Sequence, residues 1–243
     1  MTDDRGISPR SKRIVATHAA IAGLCPLIPI PFIDDLALRR VLQHMDRSLF
    51  AAHGLTLPRS GAKILNATPS QWWRGAVTSI VMFPVKKVLR KVVYVFAIKD
   101  CAEVASATFH DGWLLAHVVE DRPPRAEDPA YLRRVRKAML KTYEAVDPAP
   151  LRRAMVGSFL GARVGVRHGF QALRRLLRGE AARTTESPAP ATGVEAQLSA
   201  GVSAAANSEW KYMAALERTF RRHLGLAERG EGTTAAGGSP QGA

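Results

Sequence analysis

Hydrophobic positions along this chain recur at spacings of three and four, and no stretch sustains the period-two alternation of a half-buried strand. The cleanest case is 130–146. There Leu132, Val135, Met139, Tyr143 and Val146 form one stripe, while Arg133, Arg134, Arg136, Lys137 and Lys141 lie mostly away from it. Leu36, Val41, Met45 and Leu49 fall near one face of a helix over about 34–53, with Asp34 placed to cap its start and Gly54 its end. The same spacing predicts helices over 14–24, 60–65, 99–121, 151–178 and 194–226, and Ser70 could cap another that carries Trp72 and Trp73. Arg122-Pro-Pro-Arg125 and the prolines at 148 and 150 punctuate the run. The expected fold is all-α: a multi-helix bundle over 13–178, a linker over 179–193, and a C-terminal accessory helix over 194–228. Residues 1–12 and 229–243 are expected to be disordered.

Three segments depart from an ordinary globular pattern. From Ile14 to Ile33 there are twenty consecutive residues without Lys, Arg, Asp or Glu, about the length that crossing a bilayer takes. Pro26, Pro29 and Pro31 fall in its last third, where each removes a backbone donor. An apolar helix broken by a Pro-rich step is therefore expected, with Leu24, Leu27, Ile28, Pro29, Ile30, Pro31 and Phe32 as membrane-inserting residues. The second segment, 75–98, is apolar but interrupted by Lys86, Lys87, Arg90 and Lys91, so it cannot be an ordinary spanning helix. It could lie in a headgroup plane with its cations snorkelling, or form a core strand or helix with a basic end. Third, Gly157, Gly161, Gly165 and Gly169 sit four apart within one predicted helix. Each costs ~1 kcal/mol relative to Ala, so a close-packing face is expected, inside the bundle or between chains.

Charge narrows the partners. The chain holds 35 Lys+Arg against 21 Asp+Glu, a net +14. Residues 123–180 carry much of that excess, whereas 181–243 are balanced. A localised positive field implies a polyanion, with Lys86, Lys87, Arg90, Lys91, Arg133, Arg134, Arg136 and Lys137 as the contacts to anionic headgroups or another polyanion. Cys25 and Cys101 are the only cysteines and form no closely spaced pair, which points to a reducing compartment. Arg10, Lys12 and Arg13 before an apolar run superficially resemble a signal peptide, yet no small-x-small cleavage site follows.

Catalytic signatures are missing: there is no Walker, Rossmann, GxSxG or HExxH pattern. Glu103, His110 and His117 are heptad-spaced and share a helix face. Seven residues rise roughly 10.5 Å, too far for ligands of one ion, so surface or capping histidines are expected, with no metal or cofactor. Asp34 and Asp35 are explained by helix capping. No nucleic-acid reader motif is present, and Phe159 and Phe170 are not interleaved with cations as a stacking platform requires. Nucleic-acid binding would rest on charge alone.

Within 16–65, Ala22-Gly23-Leu24, the Ile28-Pro29-Ile30-Pro31 step with Asp34 after it, then Met45, Gly54, Gly61 and Lys63 resemble the YcjF-like family of helical membrane-associated bacterial proteins. His53 stands where that family has tyrosine, and Cys25-Pro26 lies inside the apolar approach. Pro-hydrophobic-Pro with Asp also occurs in the EcsC-like proteins. The resemblance implies a helical membrane-associated domain of the kind found with small GTPases, and it carries over no catalytic residue. The combined expectation is a non-enzymatic scaffold or regulator at the cytoplasmic face of the inner membrane. It would contact anionic lipid, a partner such as a GTPase or transporter, and possible homo-oligomer mates through the glycine face. The alternative is a soluble cytoplasmic bundle that binds nucleic acid through its basic face.

Overall fold

A computed structural model of the chain describes residues 6–28, 33–67, 89–121, 128–162, 171 and 193–225, with side chains of the long helix starting at Leu89 described from Ala97 onward. Helix α1 (Pro9–Ala22) begins before the apolar run because its first turn carries its own cap. Ser8 Oγ accepts the Ser11 N–H at 3.2 Å, and Pro9 occupies a first-turn position where a donor is not needed. The Ser8 N–H itself donates to both carboxylate oxygens of Glu120 at 2.9 Å. Order thus reaches back to Ile7, which is buried, and into the span expected to be disordered. After α1 the chain turns through Cys25–Leu27, a single 3-10 turn containing Pro26.

Helix α2 (Ile33–Ala52) places Asp34 and Asp35 in its first turn, where carboxylates favour the helix dipole. Gly54, at φ 72°, takes the left-handed conformation that ends it. Then come α3 (Arg59–Leu65), α4 (Leu89–Asp121), α5 (Pro129–Ala145), α6 (Ala149–Gly161), α7 (Val194–Ser208) and α8 (Trp210–Leu224). The fold is all-α: every regular element among the described residues is helical. The predicted helix carrying Trp72 and Trp73 and the 163–178 end of the predicted 151–178 helix lie outside the described residues, apart from Gln171. So do the tail and the predicted linker up to Gly193.

Helices α1 and α4 run antiparallel through the middle, Ser8 lying beside Glu120 and Gly23 beside Cys101. Between Asp100 and Val119 every α4 residue except Glu103 is buried, as a helix packed on all sides must be. Two glycines allow the backbones to approach. A Cβ on Gly112 would lie 2.8 Å from Met45 Sδ and 2.9 Å from Val15 Cγ1; one on Gly23 would press on Phe159 and the Cys101 carbonyl. Helix α2 packs on α1 and α4, and α6 on α4 and α7. Helix α7 flanks α1, with Thr17 beside Ser199. Helix α5 lies between α3 and α8.

The C-terminal segment differs from the expected accessory helix. It is two helices, broken where Ser208 Oγ donates to the Ala205 carbonyl and Glu209 leaves helical geometry (φ −98°, ψ 31°). Both are built into the core: Leu198, Val202 and Leu216 are 0% exposed and Phe220 is 1%. Their apolar stripes are buried against α1, α6 and α5 rather than left for another partner.

Candidate functional site

The structure separates the sequence-predicted site residues into three groups. Leu24, Leu27 and Ile28 are buried in the protein core, so the start of the Pro-rich step serves the bundle's own packing in this fold. Pro29, Ile30, Pro31 and Phe32 lie outside the described residues. Among the described residues no helix is long and apolar enough to cross a membrane. Arg90 and Lys91 fall in the first turn of α4; their side chains, and Lys86 and Lys87 altogether, lie outside the description, as do Gly165 and Gly169.

The second group is the basic face of α5. Asp128 caps the helix by accepting the Ala130 N–H at 2.9 Å, and Pro129 opens it. Arg133, Arg134, Lys137 and Lys141 are all exposed. At about 100° per residue they lie within an arc of roughly 100°, with Glu144 as the one exposed acid on the same arc. None of the four is within ion-pair distance of a described carboxylate. Arg136 leaves the expected set. It sits four residues after Leu132 and three before Met139, on the apolar stripe itself, and is only 7% exposed. Its guanidinium reaches Asp111 on α4 at 3.3 Å.

That pair belongs to the third group, a buried polar seam that the sequence pattern did not reveal. Asp111 Oδ1 also accepts the Tyr143 hydroxyl. Burial raises the Asp111 carboxyl above the ordinary carboxylate range, and Arg136 and Tyr143 offset only part of that rise. Nearby, Asp46 of α2 is 4% exposed and accepts 2.7 Å from the Asn66 amide. Burial lifts its carboxyl to about 7, the Asn66 bond opposing and the Asp111 charge adding. Two carboxyls therefore lie close together inside the core, only Asp111 touching the Arg136 guanidinium, and burial raises both.

Three histidines that were expected at the surface or at caps are buried instead. His18 Nδ1 donates to the Ile14 carbonyl at 2.7 Å, so its neutral ring presents Nε2 as an acceptor to His44 Nδ1 at 2.8 Å. Burial, with the neighbouring His44, lowers His18 to about 4. His110 meets the Tyr212 hydroxyl at 2.8 Å, and burial lowers it to about 3. His117 Nε2 lies 3.2 Å from Glu217 Oε2, whose other oxygen accepts from Arg221 Nε at 2.8 Å. Arg221 also pairs with Asp121 at 2.6 Å. Glu103, His110 and His117 thus face partners on α6 and α8: Arg152, Tyr212 and Glu217. Among the described residues no three His, Cys, Asp or Glu side chains converge on one ion position.

The seam's chemistry is interhelical. Each polar group named here on α4 is matched to one helix neighbour, a division that fixes register and orientation between helices. Its signal was present but indirect. Residues 98–119 of α4 lack a continuous polar face, so the polar residues in that stretch had to be inside.

The glycine face divides as well. A Cβ on Gly157 or Gly161 would meet no described atom within 4 Å, and both residues are exposed beside Leu160, itself 45% exposed. The close contact on this side is made by Gly201 of α7, where a Cβ would lie 2.7 Å from Ser158. No family model, curated protein or solved structure matches the chain.

Proposed function

We propose that the protein is a non-enzymatic, membrane-associated helical scaffold or regulator that contacts anionic lipid headgroups through the exposed basic face of α5. The observation that carries this reading is the arc of Arg133, Arg134, Lys137 and Lys141, four outward cations without described ion-pair partners. Charges left facing water cost the fold little, and each one close to an anionic bilayer adds ~1 kcal/mol of attraction. The buried seam argues for a rigid platform, because its donors and acceptors are directed at neighbouring helices. The likeness of residues 16–65 to membrane-associated helical families points the same way, and a protein partner such as a GTPase or transporter fits a scaffold of this kind.

Flotation of the full chain with phosphatidylserine-containing and with pure phosphatidylcholine vesicles tests the reading. The expected result is flotation with the anionic vesicles alone, weakening as salt rises. Protein that stays at the bottom with both vesicles, yet retards duplex or single-stranded nucleic acid at low salt, would replace this reading with the nucleic-acid alternative.

A further inference from the structure

We infer that the outward face of α2, continued onto α3, is a second part of the lipid-contact surface, and that Leu36 is the residue that enters the boundary between headgroups and acyl chains. This rests on the membrane reading above. Leu36, expected near the face of Val41, Met45 and Leu49, lies instead about 180° from Met45 at the helical repeat and is 48% exposed, one of the few large apolar side chains left in water among the described residues. It does not stand alone on its helix face. Arg39, Arg40 and Arg47 are exposed and lie within roughly 60° of it at the α-helical repeat. None of the three is within ion-pair distance of a described carboxylate, although Asp34 and Asp35 occupy the same first turn as Leu36.

Helix α3 packs against both α2 and α5 and adds Arg59 and Lys63, again exposed. Exposed cations therefore sit on α2, on α3, which packs against it, and on α5, which packs against α3, and in this inference they form one positive surface with the α5 arc at one end. That surface is complementary to an anion. Leu36 selects which anion. An isobutyl side chain gains from hydrocarbon and gains nothing from a phosphate–sugar backbone, and flanking arginines can keep their guanidinia at headgroup level while their stems lie flat. A helix with one apolar residue among cations fits shallow insertion at its N-terminal end.

Cys25 and Cys101 are 3% and 0% exposed, so a cysteine introduced at an exposed site is the reactive thiol for labelling. The full chain carrying Leu36→Cys, labelled with an environment-sensitive dye, is mixed with phosphatidylserine-containing vesicles. The control carries Gln197→Cys on the exposed side of α7, a helix that packs on α1 and α6. The expected result is a blue shift at 36 and none at 197. Unlabelled Leu36→Ser is expected to bind those vesicles roughly tenfold more weakly with an unchanged thermal midpoint. If the protein floats but the dye at 36 does not shift, or Leu36→Ser binds as tightly as the parent, the insertion site is wrong while the membrane reading survives. If the parent chain floats with no vesicle, both fall, and retardation of nucleic acid by that same sample would reassign the positive surface.

Discussion

Gly112 and Gly157 are both glycines within helices, yet they predict opposite responses to alanine. A Cβ at 112 collides with Met45 and Val15 where α4 crosses α2 and α1, so Gly112→Ala is expected to destabilise by about 1–3 kcal/mol. At 157 nothing described lies within 4 Å, and Gly157→Ala should stabilise the monomer by up to ~1 kcal/mol. Urea unfolding of the two variants checks both signs, and a large loss at 157 would mean that the glycine face packs inside the fold after all. Asp46 makes a pH prediction. Its carboxyl rises from 3.8 unfolded to about 7 folded, chiefly through burial, so the folded state holds the proton more tightly. The stability this contributes is full below about pH 4 and is lost as pH climbs through 7. Asp46→Asn, which cannot ionise, should therefore raise stability by roughly 1–3 kcal/mol near pH 8 and change it little near pH 4. His18 acts in the other direction: lowered to about 4, it withdraws stability as pH falls from 6.5 toward 4. Comparing Asp46→Asn with the parent at each pH isolates the carboxylate; an unchanged difference across that range would show that Asp46 is not the titrating group.

At the level of elements, α8 decides between an appendage and a structural wall. Phe220 is 1% exposed, so Phe220→Ala is expected to cost about 3–5 kcal/mol of global stability. A dispensable helix would lose its own helicity and leave the rest of the unfolding curve in place. The sequence pattern made the helices legible because most are amphipathic: α2, α5 and α8 each bury a stripe at spacings of three and four. It missed the break at Glu209, since the stripe continues across it and the interruption comes from a serine hydroxyl bonded back to Ala205. It also missed the early start of α1, which depends on Glu120, more than a hundred residues away, accepting from Ser8. Arg136 lies on the stripe by its spacing from Leu132 and Met139, and only its charge suggests an outward position. The exposed members of the α5 arc were readable from periodicity alone. The Asp46–Asp111–Arg136–Tyr143 grouping was not, since it unites α2, α4 and α5 through tertiary packing.

For the whole molecule, a keyed interior stands beside exposed cations on α2, α3 and α5 that lack ion-pair partners among the described residues. Inside, the seam orients α2, α5, α6 and α8 around α4, and glycines at 23, 112 and 201 bring backbones close. Outside, cations on α2, α3 and α5 face water. The functional reading proposed above rests on binding of the α5 arc to an anionic bilayer. Its most direct test is the partition coefficient of the folded full chain on phosphatidylserine-containing vesicles, measured for the parent and for a variant in which Arg133, Arg134, Lys137 and Lys141 are all glutamine. At ~1 kcal/mol per cation near the surface, a loss of about two to three orders of magnitude is expected, shrinking as salt is added. Equal partitioning of parent and variant at low salt would contradict it.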